Sequence, residues 1–187
     1  MPHVAGAGIL GLMSTPSSST PKVLVAYASK HGSTHEIAEA IAERLRADGV
    51  PADCRDAGDV KELEGYGAVV LGSAVYMKRW RHEAKRFLHR HRRELAQLPL
   101  WVFSSGYVGD AERNAEWEEP AGVVKTVEEL GARAHVVFGG RVPQDGGFIA
   151  KSMAKNTPPE SADRRDWDEI GEWAAGIAGE LRVGERV

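Results

Sequence analysis

The fold is decided by residues 23–34, VLVAYASKHGST. Residues 23–26 are continuously apolar, which is typical of a strand buried on both faces of a parallel sheet. From Ser33 onward the apolar residues recur at helical spacing, and Ser33 with Glu36 has the spacing of a capping box. The recurring residues are Ile37, Ala38, Ile41, Ala42 and Leu45. The sequence therefore predicts a buried strand, a short turn and an amphipathic helix.

The turn between this strand and this helix is suited to hold an anion. It consists of Ser29, Lys30, His31, Gly32, Ser33 and Thr34. Hydroxyl groups and the free amides at a helix start donate hydrogen bonds to phosphate, and the helix dipole adds positive charge there. The turn lacks the Gly-Lys-Ser/Thr of a nucleoside-triphosphate loop and the three-glycine spacing of a dinucleotide fold. We predict a site for one phosphate monoester, with simple helix capping as the alternative.

Composition limits the classes of protein to be considered. The chain has 187 residues, of which 42% are hydrophobic and 27% charged, so it can bury one full core. A net charge of −3 does not indicate a nucleic-acid surface. The single cysteine, Cys54, excludes an internal disulfide and fits a reducing compartment, so we expect a cytoplasmic protein. The histidines lack metal-ligand spacing, and we predict no metal site.

The sequence divides into a tail and one domain. Residues 1–21 are rich first in alanine and glycine and then in serine, threonine and proline, so we predict a disordered N-terminal tail. The apolar stretch at 5–13 is too short to span a membrane, and no basic residue precedes it as in a signal peptide. We predict a single domain over residues 22–183.

Strand-like and helix-like segments alternate through this domain, which is typical of an α/β fold. Predicted strands follow the first at 52–56, 68–72, 100–104 and 134–138, and predicted helices lie at 83–95, 121–130 and 167–181. Right-handed crossovers and a phosphate-type loop after the first strand indicate a single doubly wound domain. We predict a five-stranded parallel sheet in the order 2-1-3-4-5 with helices on both faces.

Ligands of this architecture bind beyond the carboxyl ends of the strands, near strands one and three. The loops after strands three and four therefore join the first loop as candidate binding segments. Their residues are Ser73, Ala74, Val75, Tyr76, Ser104, Ser105, Gly106 and Tyr107. Small residues let the backbone approach a flat ring system, which Tyr76 or Trp80 and Tyr107 could cover.

Three segments carry a resemblance to a known family: residues 29–38, residues 70–76, and residues 148–155 followed by 166–168. With them the chain resembles flavodoxin-like FMN proteins and, more closely, the bacterial menaquinone-dependent protoporphyrinogen oxidase group. The resemblance implies FMN as the cofactor, with a deazaflavin as an open alternative. It implies that residues 29–34 wrap the phosphate, while residues 73–76 and 104–107 border the isoalloxazine ring.

The same resemblance implies an oxidoreductase that passes reducing equivalents from a small-molecule reduced substrate through FMN to a quinone-like acceptor. Because the flavin supplies the chemistry, no catalytic acid or base is required of the protein. A non-catalytic electron-transfer flavodoxin is the main alternative. A receiver-type signalling domain is excluded, because Tyr27, Ala28 and Ser29 stand where acidic magnesium ligands would be needed.

Two further segments suggest partners. The stretch from Lys78 to Arg93 is strongly basic, so it is either a solvated helix face or a surface for anionic lipid headgroups or an acidic substrate. This predicts a peripheral contact with the inner face of the membrane. Residues 148–155 read as a short amphipathic helix that would lie at a membrane interface, cover the flavin or pack on the domain.

Overall fold

A computed structural model of the chain describes residues 20–76, 78–107, 120–142, 155 and 162–183. The predicted tail at 1–21 and the predicted amphipathic helix at 148–155 lie outside these residues, apart from the last residues of each.

The described strands form one sheet around the first predicted strand. They are β1 (Val23–Ala28), β2 (Ala52–Asp56), β3 (Ala68–Tyr76), β4 (Arg79–Trp80), β5 (Leu100–Tyr107) and β6 (Ala134–Gly139). Five of them are parallel and follow one another in the order β2-β1-β3-β5-β6, while β4 pairs antiparallel with β3. The predicted α/β fold with a parallel sheet is confirmed, but the predicted count of five strands is wrong.

The strand that the sequence did not predict, β4, is only two residues long and carries no alternating pattern. It is set by the turn before it, where Lys78 has a φ of 58°, and by the indole of Trp80, which donates a hydrogen bond to Ser104 Oγ at 2.9 Å. Neither cause can be read from hydrophobic periodicity.

Helices cover both faces of the sheet. They are α1 (Ser33–Ala47), α2 (His82–Arg90), α3 (Arg92–Leu95), α4 (Ala121–Glu129) and α5 (Trp167–Val183). The helix predicted over 83–95 is interrupted at His91, whose φ of −100° and ψ of 18° are not helical. Its apolar face is nevertheless continuous, since Ala84, Phe87, Leu88, His91 and Leu95 are all buried as predicted.

Burial is divided between two cores. On one face, α1 and α5 pack against alternate residues of the strands, with Trp101 and Phe103 among the largest buried side chains. On the other face, α2, α3 and α4 pack against the intervening residues such as Leu24 and Leu71. Continuous apolar strands buried on both faces are the arrangement that residues 23–26 predicted.

Cys54 lies on the edge strand β2 and packs partly buried against the first core. Burial raises the pKa of its thiol to about 12. Because the thiolate is the reactive form of cysteine, this thiol is protonated and unreactive at neutral pH.

Candidate functional site

The loops after β1 and β6 and the last residues of β3 and β5 converge on one pocket at the carboxyl edge of the sheet. Its lining consists of Ser29, Lys30, His31, Ser33, Thr34, Ala74, Val75, Tyr76, Ser105, Gly106, Gly140 and Arg141. The structure thus brings together most of the residues that the sequence predicted to bind the cofactor. Gly32, Ser73, Ser104 and Tyr107 are not among the lining residues, and the side chain of Tyr107 lies outside the described part of the chain.

The first wall of the pocket is the turn from β1 into α1. Gly32 precedes the helix with a φ of 84°, a left-handed conformation that glycine adopts at little cost. Its amide donates to Ser29 Oγ at 3.1 Å, and its carbonyl accepts a hydrogen bond from the Glu36 amide at 2.9 Å. The predicted capping box between Ser33 and Glu36 is wrong, because Gly32 is the cap residue and no side chain caps the helix.

Two hydroxyl residues begin α1 beside this turn. Thr34 is 1% exposed, and Ser33 Oγ is buried without a hydrogen-bond partner in the described part of the chain. Burying an unpaired hydroxyl costs free energy, and the first amides of any helix also lack intrahelical partners. The turn therefore presents unsatisfied donors beside the positive end of a helix dipole, which fits the phosphate monoester of FMN.

The opposite wall is built from glycines in close contact with neighbouring backbone. Gly106 has a φ of 153°, and a Cβ placed there would lie 2.6 Å from the carbonyl oxygen of Val75. A Cβ on Gly140 would lie 2.9 Å from the Cα of Gly106. Glycine at both positions lets the end of β5 and the segment after β6 pack closely beside β3.

An aromatic ring links the two walls. Lys30 Nζ, from the first turn, lies 4.6 Å from the centroid of the Tyr76 ring at the end of β3. A cation over a tyrosine face is an attractive contact. Trp80, the other ring that the sequence offered as a cover, is 3% exposed and does not line the pocket. Among the described side chains, Tyr76 is therefore the candidate to stack on a flat ligand.

Ser73 and Ser104 lie in the strands behind the pocket, and their hydroxyls are engaged within the protein. Ser73 Oγ donates to the carbonyl of Ala74 at 3.0 Å and accepts from the Arg81 amide at 3.0 Å. Ser104 Oγ accepts from the Trp80 indole and lies 3.0 Å from His135 Nε2. Since an indole nitrogen only donates, the Ser104 hydroxyl is free to donate to His135. These contacts hold the strand ends that carry the pocket.

Partial burial of His135 makes the stability of the folded protein depend on pH. Desolvation lowers the pKa of this imidazole from 6.5 to about 4, so it is neutral in the folded protein at pH 7. Between these two pKa values, His135 binds more protons in the unfolded chain than in the folded chain. We therefore expect the free energy of unfolding to fall as the pH drops below about 6.5 and to stop falling on this account below about 4.

Urea titrations of wild type and His135→Gln between pH 7 and 4.5 measure this effect. The wild type should lose stability over that range, and the variant should lose distinctly less. Parallel slopes for the two proteins would contradict the assignment to His135. Protonation of Glu36 and Asp163 is a separate event at lower pH, because neighbouring arginines lower the pKa of both carboxyls from 4.5 and 3.8.

The sequence did not identify a cluster of ion pairs at the rim of the pocket. Arg141 Nη2 donates to Glu36 Oε1 at 2.7 Å, and Arg165 contacts the carboxylates of both Glu36 and Asp163. The Arg165 side chain is 4% exposed, and its hydrogen bonds are the largest cause of the lowered pKa of each carboxyl. Both arginines lie more than 100 positions from Glu36 in the sequence, so no sequence signal joined them.

Metal binding finds no support in the described part of the chain. No group of three or more histidine, cysteine, aspartate or glutamate side chains is placed there to hold a metal ion.

The chain is similar to known proteins in sequence. A family model described as a flavodoxin domain matches residues 24–157. The protoporphyrinogen IX dehydrogenase [quinone] of Escherichia coli strain K12 is 27% identical over 89 residues, which are 46% of this chain and 49% of that protein. The matched region thus spans about half the length of this curated relative.

The fold is similar to solved flavodoxins. A flavodoxin from the domain Archaea is 17% identical with a TM-score of 0.56, and the match covers 86% of this chain and 99% of that chain. Oxidised flavodoxin 2 from Bacillus cereus is 22% identical with a TM-score of 0.55, over 87% of this chain and 99% of that chain. At such identities the likeness establishes the fold. Together with the family match, it confirms the resemblance drawn from residues 29–38 and 70–76.

Proposed function

The chain belongs to the flavodoxin domain family, and from that premise we propose that it is an FMN-dependent oxidoreductase acting on a reduced tetrapyrrole. Membership of this family implies FMN as the cofactor. The observation that carries the proposal is the buried, unpaired hydroxyl of Ser33 beside the first amides of α1, in one pocket with Tyr76.

The pocket residues have distinct parts in this proposal. Ser29, Ser33 and Thr34, with the amides of the helix start, would hold the phosphate. Val75, Tyr76 and Gly106 would border the ring. When bound, FMN supplies a ring that accepts electrons from a donor and passes them to an acceptor. The protein orients the ring and limits its contact with water.

The weak match to an E. coli protoporphyrinogen IX dehydrogenase [quinone] supports protoporphyrinogen as the donor and a quinone such as menaquinone as the acceptor. In each cycle the donor would lose two electrons and two protons. The quinone would gain two electrons and two protons and become a quinol.

The second candidate is an electron-transfer flavodoxin that only docks to redox proteins, and the fold is compatible with it. The positive charge of the segment at 78–93 favours the enzyme over the electron carrier. Eight basic residues lie between positions 78 and 93, and all but one are exposed. They are Lys78, Arg79, Arg81, Lys85, Arg86, Arg90, Arg92 and Arg93, of which Arg81 is half-buried and pairs with Glu83. Such a surface suits an anionic small molecule.

Contact of this basic stretch with an anionic membrane surface stays a prediction. Each basic residue near such a surface contributes about 1 kcal/mol of attraction. Among the helices of the described residues, none has both the length and the apolar composition that crossing a bilayer requires.

The proposal is tested by spectroscopy on the purified protein. We expect flavin absorbance bands after addition of FMN, bleaching of those bands on anaerobic addition of protoporphyrinogen, and their return on addition of a menaquinone analogue. Bound FMN that protoporphyrinogen does not reduce would refute the donor and favour the electron carrier. Absence of FMN binding would refute the site.

A further inference from the structure

A second concave site lies between α2 and α4, on the face of the sheet that these two helices cover. It is a groove of about 340 Å³, a volume within the range of small-molecule sites. The groove is lined by Arg79, Trp80, Lys85, His89, Arg92, Pro120, Gly122, Val123 and Thr126. The buried side chains of Trp80 and Val123 form its apolar floor.

The walls of this groove are basic, and no acidic residue is among its lining in the described part of the chain. Arg79 comes from β4, Lys85 and His89 from α2, and Arg92 from α3. Arg92 donates to Glu129 at 2.7 Å, so the positive charge of Arg92 is paired with a carboxylate that does not line the groove. Because the cations converge from three elements onto one concavity, they are not merely the solvated face of a single helix. An anion in the groove would meet several of them at once.

The groove and the candidate flavin pocket share a wall. Val75 and Trp80 are partners across the β3–β4 hairpin, and so are Tyr76 and Arg79. Val75 and Tyr76 line the flavin pocket, whereas Arg79 and Trp80 line the groove. A ligand in the groove would therefore be separated from the flavin pocket by one two-stranded hairpin.

We propose that this groove binds the carboxylate groups of a tetrapyrrole dicarboxylate, and this inference rests on the proposed function in its choice of ligand. Carboxylates form charge-assisted hydrogen bonds with arginine and lysine, and the apolar body of the ligand would meet the floor at Trp80. The groove thus holds the charged edge of the electron donor or of its oxidised product beside the hairpin that borders the flavin.

The test compares protoporphyrin IX with its dimethyl ester, which lacks both negative charges, in absorbance and fluorescence titrations of the full chain. The variant Arg79→Gln/Lys85→Gln removes two charges from the groove. The variant Arg55→Gln/Lys61→Gln removes two charges from another surface, where both residues are exposed, and serves as the matched control. We expect the groove variant to bind protoporphyrin IX about 10- to 100-fold more weakly and the control to bind it as the wild type does.

The ester should bind weakly to all three proteins, and the affinity for FMN should be the same in all three, because none of the changed residues lines the flavin pocket. Equal porphyrin binding by the groove variant and the control would overturn the inference. So would equal binding of ester and acid by the wild type. A groove variant that loses binding only to phosphatidylserine vesicles would assign these charges to a membrane and would also overturn it.

Failure of the proposed function and failure of the groove site give different results. Charge-dependent porphyrin binding in the groove without reduction of bound FMN by protoporphyrinogen would refute the donor while leaving the binding site. Reduction of FMN with unaltered binding in the groove variant would refute the groove while leaving the donor. A circular-dichroism melting curve for each variant verifies that both double variants are folded.

Discussion

Gly139→Ala should lower the free energy of unfolding by about 3 kcal/mol, the upper part of the range for overpacking a close contact. Gly139 ends β6, and a Cβ placed there would lie within van der Waals overlap of the Arg164 carbonyl oxygen and carbon. Both are backbone atoms, so no side-chain rotation relieves the overlap. The return segment before α5 would have to move away from the sheet.

That movement would break specific contacts. The Arg164 amide donates to the Gly140 carbonyl at 2.9 Å, and the Val142 amide donates to the Ala162 carbonyl at 2.7 Å. Arg165, which holds Glu36 at the first turn of α1, belongs to the same segment. The substitution should therefore destabilise the fold and also disturb the rim of the flavin pocket.

The measurement is a thermal melt together with a urea titration. For a chain of this size, each kcal/mol shifts the Tm by about 2 to 4 °C, so a fall of about 6 to 12 °C is expected. Gly176→Ala is the matched control, because nothing lies within 4 Å of a Cβ placed at that position inside α5. It should raise stability by up to about 1 kcal/mol, as alanine favours a helix interior over glycine. A Gly139→Ala protein as stable as this control would contradict the argument.

The elements that could be predicted from the sequence are those that a local, periodic pattern of apolar residues determines. Residues 23–26 and the helix from Ser33 show their burial in their spacing, and the bounds of β2 agree with the prediction at 52–56. Residues 29–34, 73–76 and 104–107 were predicted to meet because the carboxyl ends of parallel strands share one edge, and residues of all three segments line the pocket. The prediction that 73–76 and 104–107 are loops is wrong, because β3 and β5 extend through them.

The features that could not be predicted from the sequence depend on contacts between residues that are distant along the chain. The capping box was predicted from spacing alone, but Gly32 is the cap residue, and the Glu36 carboxylate instead pairs with Arg141 and Arg165. Likewise, Trp80 of β4 donates a hydrogen bond to Ser104, 24 residues along the chain, and no local pattern indicates this contact. Gly140 and Arg141 follow β6 and line the pocket, and Arg141 pairs with the distant Asp163 in an isolated β-bridge.

Ser33→Ala should weaken the binding of FMN by about 10- to 100-fold, because a hydrogen bond to a charged group contributes about 1.5 to 3 kcal/mol. In the described structure, Ser33 Oγ is buried and has no partner, so its hydrogen-bonding capacity is not used by the protein itself. A phosphate oxygen would satisfy it. Thr34→Val tests the neighbouring hydroxyl with almost no change of side-chain volume, and it should act in the same direction.

The same substitution should have the opposite effect on the protein without flavin. Removing a buried, unpaired hydroxyl removes a desolvation penalty, so the Ser33→Ala apoprotein should be as stable as the wild type or more stable by up to about 1 kcal/mol. Opposite signs for stability and for FMN affinity distinguish a ligand-binding hydroxyl from a structural one. A hydroxyl that only caps α1 would lower stability when it is lost.

Titration of the flavin fluorescence with wild type, Ser33→Ala and Thr34→Val, using FMN and riboflavin in parallel, measures the first effect, and melting curves of the apoproteins measure the second. Riboflavin lacks the phosphate, so its affinity should be the same for all three proteins within about twofold. An equal loss of affinity for FMN and riboflavin would mean that the substitutions act on the ring rather than on the phosphate. Unchanged FMN affinity in both folded variants would mean that the hydroxyls of the turn at residues 29–34 do not bind the phosphate.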